Sequence, residues 1–352
     1  PVSRQWPPKS HTALYGTGSI EEADFKKLFR SFAERAYRRP VAPEEVEPYV
    51  NLAAQLEADG NSRQQAMKGA YAAILCSPDF VYLRQNPGKL DDFALASRLS
   101  YFLWSSMPDE ALMKLARAGE LSDRAELDRQ VERMLKDPKA AAFGRHFPER
   151  WLKLYELGRM EPDKRGPYVH YFRVKDYLIP QVDAFFRDVL ERNGSIRDFI
   201  DSDYTFMNNL LGELIYKQKV VGENLRKVTL EDQRRGGLLT MPAIMTMTAN
   251  GVDTSPIVRG VFVLENILGT PPPPPPPDVE PLSPDLRGVK SLKEQMAMHR
   301  NQQACSSCHQ KIDPMGFALE SFDPIGRWRD HYPKIDKKAK QVAPIDPSAI
   351  MA

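Results

Sequence analysis

Apolar residues recur every three or four positions through most of the first 200 residues of the chain. In the first such stripe, Phe25, Leu28, Phe29 and Phe32 are separated by lysine, arginine and serine. This spacing places the apolar side chains on one face of an α-helix. Alternating strand patterns are almost absent, and the only candidate is a very short one at residues 228–230. The pattern therefore predicts an all-α fold.

Prolines and helix-capping residues divide the apolar stripes into separate helices. Pro40 and Pro43 end the first helix and begin the second, and Asp91 and Asp92 favour a helix start after the Pro87-Gly88 turn. We expect three domains. These are a small helical bundle over residues 1–88, a second helical domain over 89–232, and a domain of different character over 233–352.

Seven consecutive prolines, residues 271–277, follow a helix that is expected to end at Ile267. Such a run adopts the polyproline II conformation and, at about 3.1 Å per residue, forms a stiff strut roughly 22 Å long. The strut is either a plain linker or a ligand for a partner module that binds proline-rich segments. A rigid strap packed on the protein itself is compatible with both.

The charge balance excludes several classes of protein. Lysine and arginine number 49 against 47 acidic residues, and this net charge of +2 does not indicate nucleic-acid binding or a polybasic membrane anchor. No run approaches the roughly 18 apolar residues of a transmembrane segment. Residues 1–18 lack the pattern of a secretory signal, so we expect that a signal was removed or that the chain starts inside a longer protein.

Residues 305–309 read Cys305-Ser-Ser-Cys308-His309. In this arrangement two thiols can add across the vinyl groups of a haem while the adjacent imidazole ligates the iron. One helical turn brings both cysteines to one face of a helix, and the histidine is then on the same side. The motif predicts one covalent haem c, anchored by Cys305 and Cys308, with His309 as the proximal iron ligand. Residues 233–352 are therefore expected to form a haem-binding domain that contains the proline strut 271–277 and the motif.

Zinc binding and dithiol chemistry are the alternatives for this motif. A zinc site needs two more cysteine or histidine ligands at matched spacing, but Cys76 stands alone at the end of an apolar helix. A thioredoxin-like pair needs a βαβ context, which the helical pattern does not offer. The sequence therefore favours haem, and Cys76 is expected to be a small buried apolar residue.

Residues after the motif suggest how a haem is held. A turn is expected at residues 311–316, where the carbonyl of Pro314 would accept the N–H of the proximal imidazole. Arg327, Trp328 and Arg329 follow, and donors of these types often bind haem propionates. An ordinary exposed basic turn is the alternative for these three residues.

The sixth iron ligand is left open by the sequence. Met315 lies six residues beyond His309, about 21 Å of fully extended chain, and would have to pass round the porphyrin edge. A separate methionine-containing segment can fold over the distal face instead, although methionine more often packs in a core. The candidate sixth ligands are Met245, Met247, Met241 or His299.

Several stretches resemble the planctomycete-type cytochrome c proteins, which are large secreted proteins with domains of uncharacterised function. The resemblance covers roughly residues 20–350 and implies haem binding and an extracytoplasmic address. Its most specific part is the haem motif followed by Ile312-Asp313-Pro314-Met315-Gly316-Phe317. The other stretches that carry it include Arg38-Arg39-Pro40, Ser77-Pro78-Asp79-Phe80, Leu95-Ala-Ser-Arg98-Leu99-Ser100, Asp203-Tyr204-Thr205-Phe206, Gly237-Leu-Leu-Thr240, Thr254-Ser255-Pro256 and Ile325-Gly326-Arg327-Trp328-Arg329.

These observations predict a monohaem c-type cytochrome that passes single electrons to or from a redox partner protein, in the periplasm or at the cell surface. One alternative is a haem peroxidase or oxidase whose sixth iron position is open or weakly held. Another is a structural haem subunit of a larger redox complex with other cytochrome subunits. The helical region ahead of the haem motif is larger than an electron carrier needs, which favours the alternatives. No catalytic residue is predicted.

Overall fold

The computed structural model describes residues 9–16, 19–83, 85, 87–159, 161–162, 167–274, 303–332 and 344–348. Most of these residues are helical and only two short strands occur among them, which confirms the all-α fold. The chain divides into two compact units, residues 1–143 and 144–352. The domain boundaries expected at residues 88 and 232 stay predictions.

Several helices of the first unit begin at capping side chains. Asp24, Ser62 and Asp91 each accept the backbone N–H of the residue three positions later, which satisfies a donor that a helix start leaves without an intrahelical partner. The helices are α1 (Lys9–Tyr15), α2 (Phe25–Tyr37), α3 (Pro43–Ala58), α4 (Arg63–Leu75), α5 (Pro78–Val81), α6 (Asp92–Trp104), α7 (Glu110–Ala118) and α8 (Arg124–Leu135).

Two apolar cores lie inside the first unit. One surrounds Phe29 and Met67 between α2, α3 and α4, and the other surrounds Leu112 and Met134 between α6, α7 and α8. Each core is built from the apolar stripes of its helices, so the helical spacing of the sequence translates directly into packing.

The second unit contains the longest helix, one antiparallel pair of strands and two π-helical turns among the described residues. Strand β1 (Tyr204–Met207) pairs antiparallel with β2 (Arg226–Thr229), which overlaps the strand expected at residues 228–230; β1 was not expected. The π-helical turns are Gly212–Tyr216 and Val263–Ile267. The helices are α9 (Ala141–Trp151), which begins just before the unit, α10 (Tyr171–Glu191), α11 (Asn209–Leu211), α12 (Pro242–Met247), α13 (Pro256–Phe262) and α14 (Gln303–Phe317).

One apolar core serves the second unit, with members from Leu152 to Ile325. Helix α14 lies along α13, and the two backbones approach most closely at two glycines. A β-carbon at Gly260 would overlap the carbonyl oxygen of Ile312, and one at Gly316 would overlap that of Pro256. Pro256, near the start of α13, meets Gly316 near the end of α14, and Gly260 meets the earlier residue Ile312. The two helices therefore run antiparallel.

Of the seven prolines, residues 271–274 belong to the described part of the chain and have no regular secondary structure. Residues 271, 273 and 274 are exposed. The remaining prolines, 275–277, lie outside the described residues. Among the described helices, none has both the length and the apolar composition that crossing a bilayer requires.

Candidate haem-attachment site

The Cys-X-X-Cys-His motif lies at the beginning of α14. Cys308 is half-buried and is not part of a disulfide, whereas the side chain of Cys305 lies outside the described residues. The helical backbone places positions 305, 308 and 309 on adjacent parts of one helix face, because residues three and four apart are neighbours on a helix.

Asp313 is the hydrogen-bond partner of the His309 side chain. The Nδ1 atom of His309 lies 2.8 Å from the Oδ1 atom of Asp313, which is one helical turn further along α14. His309 is 9% exposed and Asp313 is 0% exposed, so solvent screens this contact poorly. Because an ionised carboxylate can only accept, Nδ1 is the donor in this contact.

This arrangement differs from the one expected for Pro314. The carbonyl oxygen of Pro314 accepts the backbone N–H of Ala318 at 3.2 Å, while the Asp313 carboxylate takes the place at the imidazole. The turn expected at residues 311–316 was also wrong, since α14 continues through Pro314 to Phe317. Proline removes one helical hydrogen bond, and we attribute the continuation of the helix to its close packing on α13.

The donor set fits a covalently attached haem. A half-buried thiol at Cys308 and an imidazole held through Nδ1 at His309 are the groups that such an attachment uses, and position 305 lies one turn earlier on the same helix. The π-helical turn Val263–Ile267 contacts α14, and Val263 and Leu264 are buried. The turn therefore covers part of α14. Within the described ranges, no three His, Cys, Asp or Glu side chains converge on a metal position.

Arg327 and Trp328, expected near haem propionates, both have partners within the protein. The Nε atom of Arg327 lies 2.7 Å from the Oδ2 atom of Asp323, and the indole N–H of Trp328 donates to Asp330 at 3.1 Å. The Trp328 ring also packs edge-on against Phe322. A propionate would have to compete with these contacts, and the role of both residues toward a haem stays a prediction.

A cleft of about 860 Å³ opens beside Arg327 and Trp328. Arg234 stacks on the Trp328 ring, and the guanidinium of Arg235 lies between the rings of Tyr216 and Phe322, at 4.7 and 5.0 Å from their centroids. Arg235 also donates to the carbonyl of Gly326 at 2.7 Å. These contacts fix the segment that carries Trp328 against the residues that follow β2.

The methionines considered as sixth ligands belong to the core of the second unit. Met241 is 1% exposed and Met245 is 0% exposed, and Met247 packs against the same core from a partly buried position. Met315 is exposed on α14. His299 lies outside the described residues. Which residue, if any, binds the sixth position therefore stays a prediction.

Cys76 is exposed, so the expectation of a buried residue was wrong. It caps the C-terminus of α4, beyond the buried stripe that ends at Ile74. The residue lies in the first unit, which does not contain the haem motif.

A buried ionic network follows the end of α14, and sequence reasoning missed it. Arg259 of α13 has no exposed surface and donates to the carbonyl oxygens of Leu319 and Phe322, each at 2.7 Å. Burial lowers the pKa of Arg259 to about 10, against the opposing charge of Glu320. The sequence signal that could have indicated a buried charge is the position of Arg259 between Val258 and Gly260, in an otherwise apolar helix.

Glu320 connects this network to Arg329. Its carboxylate accepts from the hydroxyl of Thr254 and from Arg329, the latter at 3.3 Å. Burial raises the pKa of Glu320, although both arginines oppose that shift. Arg329 in turn donates to Asp253 at 2.8 Å and to the hydroxyl of Tyr168 at 3.1 Å. The segment after α14 is thereby held to α13 and to the region before α10.

A helical chain that presents a thiol and an oriented imidazole in a Cys-X-X-Cys-His motif has the features of the c-type cytochrome class. Three family models match the chain, all described as proteins of unknown function: PSD5 (DUF1595) at residues 24–84, PSD4 (DUF1592) at 90–216 and PSCyt3 (DUF1588) at 235–332. These are domain families of the planctomycete-type cytochrome c proteins, and the chain belongs to that family.

Membership of this family implies covalently bound haem c and suggests an extracytoplasmic location. The match to PSCyt3 contains the motif, α13 and the buried network that follows α14. No curated protein and no solved structure matches the chain significantly.

Proposed function

We propose that the chain is a c-type cytochrome that holds one covalent haem and carries single electrons to or from a redox partner protein outside the cytoplasm. The observation that carries the proposal is the hydrogen bond between His309 Nδ1 and Asp313 on the helix that bears both cysteines. The implied haem c of the family supports the same conclusion.

Each residue of the motif has a defined task in this proposal. The thiols of Cys305 and Cys308 add their S–H groups across two vinyl groups and form thioether bonds without a leaving group. The haem supplies a one-electron couple when bound. His309 would bind the iron, Asp313 would hold the imidazole ring in position through Nδ1, and the turn Val263–Ile267, which contacts α14, would cover part of that helix.

A haem enzyme with an open or weakly held sixth position is the second candidate. The burial of Met241 and Met245 favours it, because side chains that fill a core would have to leave that core to bind iron. Removing a buried methionine from a core costs about 2–5 kcal/mol in comparable cases. An open sixth position would let a small molecule bind the iron.

Covalent haem content tests the attachment. The chain is expressed together with a cytochrome c maturation system, and intact mass and pyridine haemochrome absorbance are measured. We expect one haem per chain in the wild type and in Cys76→Ala, and none in the Cys305→Ala/Cys308→Ala double variant. Absence of covalent haem from the wild type would overturn both candidate functions.

The absorption spectrum then separates an electron carrier from an enzyme. A six-coordinate low-spin spectrum that neither CO nor peroxide changes is expected for the carrier. A ferrous spectrum that shifts on addition of CO would reject the carrier in favour of the enzyme. A reversible redox titration with a one-electron slope is also expected for the carrier.

A further inference from the structure

We infer that Asp313 is a positioning residue that strengthens electron donation by the His309 imidazole and so favours ferric over ferrous iron in the attached haem. The inference rests on the proposed haem attachment and extends it. Stabilisation of the ferric state lowers the potential of the haem, so the reduced haem becomes a stronger electron donor.

The geometry of the pair supports a strong and persistent hydrogen bond. Nδ1 and Oδ1 are 2.8 Å apart, and the two residues are four positions apart on α14, so the helical backbone itself keeps them adjacent. The Asp313 carboxylate has no exposed surface. Water therefore competes little for the hydrogen bond.

The helix that carries the pair is itself fixed in place. α14 meets α13 at Gly260 and Gly316 with no room for a β-carbon on either. The segment after α14 is held by Arg259 through the carbonyls of Leu319 and Phe322. The helix that carries both members of the pair is thus held in place by its packing on α13 and by the hydrogen bonds of Arg259.

The nature of the acceptor determines the effect on the iron. An N–H that donates to a carboxylate leaves more electron density on the imidazole than one that donates to a neutral carbonyl, because charge-assisted hydrogen bonds are roughly twice as strong. Such a partner raises the basicity of a metal-binding histidine. A more basic ligand stabilises the more highly charged ferric ion. The sequence had suggested the carbonyl of Pro314, which would exert a weaker effect.

The test compares wild type with Asp313→Asn, which keeps the shape of the side chain and removes its charge. At a fixed applied potential we expect the ferric-to-ferrous ratio to fall at least tenfold, which is a rise of about 59 mV for a one-electron couple. The EPR g-values of the ferric haem should also change, because they report the electron donation of the axial imidazole.

Two further variants separate positioning from stability. Asp313→Glu retains a carboxylate, and its potential should lie closer to wild type than that of Asp313→Asn. Asp188→Asn removes a partly buried carboxylate elsewhere in the unit, one that contacts Arg192 and Lys227 and not the imidazole. We expect it to lower stability while the EPR g-values stay those of the wild type.

The outcomes distinguish the inference from the proposed function. If wild type carries haem and Asp313→Asn leaves both the potential and the g-values unchanged, the inference is overturned and the attachment stands. If wild type carries no covalent haem, the inference and the proposed function are both overturned. Should Asp313→Asn fail to fold, ¹⁵N-histidine NMR of the ferrous wild type decides: a protonated Nδ1 in a strong hydrogen bond is expected, and an unprotonated Nδ1 would overturn the inference.

Discussion

The guanidinium of Arg259 lies 3.8 Å from the carboxylate of Glu320, and neither side chain has any exposed surface. Two opposite charges therefore meet inside an otherwise apolar unit, where desolvation is expensive. The pair is retained in a network in which Thr254 and Arg329 also contact the carboxylate. This network fixes the segment after α14 on α13, the helix that supports the haem motif.

Removing one charge of this pair should be strongly destabilising. Glu320→Gln leaves the buried Arg259 without its opposite charge, and breaking a buried pair in this way costs about 3–5 kcal/mol. The free energy of unfolding of the second unit, followed by tryptophan fluorescence in urea, measures the loss. The matched control is Glu156→Gln, which breaks the exposed pair with Arg159 and should change stability by less than about 1 kcal/mol. Equal losses in the two variants would contradict the role of the buried pair.

A methyl group at position 260 should separate α13 from α14. Gly260→Ala introduces a β-carbon that overlaps the carbonyl oxygen of Ile312, so the helix that carries the haem motif has to shift. Overpacking of this kind typically costs about 1–3 kcal/mol. Thermal unfolding of the second unit measures the effect.

The control for this substitution lies on the same helix. Val258 is 45% exposed, and Val258→Ala should change stability by no more than about 0.5 kcal/mol. If Gly260→Ala were as stable as Val258→Ala, the close approach of the two helices would not exist as described.

The helical part of the fold follows from the sequence because it depends on local signals. The apolar stripe from Phe25 to Tyr37 and the caps at Ser62 and Asp91 are encoded within a few residues of each helix. Strand β1 was missed because its pairing with β2 joins residues that are far apart in the sequence, from Met207 with Arg226 to Tyr204 with Thr229. The end of α14 was misplaced for the same reason, since packing on α13 overrides the local tendency of Pro314 to break a helix.

In the candidate site, too, the features encoded locally were predictable and those that depend on tertiary packing were not. The motif Cys305-Ser-Ser-Cys308-His309 is local and was found directly. Asp313 was overlooked as a partner of His309 because the expected turn would have removed the helical spacing that brings the two together. Arg259 and Glu320 were overlooked because their pairing depends on how α13 meets the segment after α14, which no local pattern reveals.

Asp183 should make stability depend on pH. Burial raises its pKa from 3.8 to about 6, a shift that Arg145 and Arg187 oppose. The folded protein therefore binds this proton more tightly than the unfolded chain, and the contribution to the free energy of unfolding falls as pH rises from about 4 through 6. Asp183→Asn should consequently raise stability at pH 7 relative to wild type and leave it nearly unchanged at pH 4.

Urea unfolding at pH 4, 5, 6 and 7 measures this dependence. The effect should be modest, because Asp183 is only half-buried and solvent screens its charge. Asp176→Asn is the control, since Asp176 is exposed on the same helix, α10. A stability difference between Asp183→Asn and wild type that is the same at all four pH values would rule out the titration of Asp183 as the cause.

Asn266 should stabilise the π-helical turn that contacts the haem-motif helix. Its side-chain amide donates to the carbonyl of Trp151 at 2.6 Å, and its own carbonyl accepts the indole N–H of Trp151 at 2.6 Å, so the end of α9 and the turn are joined in both directions. Asn266→Ala removes one of these bonds and leaves a half-buried carbonyl unpaired, which should cost about 1–3 kcal/mol in thermal or urea unfolding.

Leu268→Ala, at a 52% exposed position just beyond the turn, should cost no more than about 0.5 kcal/mol. Because α14 contacts this turn, Asn266→Ala should also lower the yield of covalently attached haem, whereas Leu268→Ala should not; equal yields and equal stabilities would show that the reciprocal bond does not support the site.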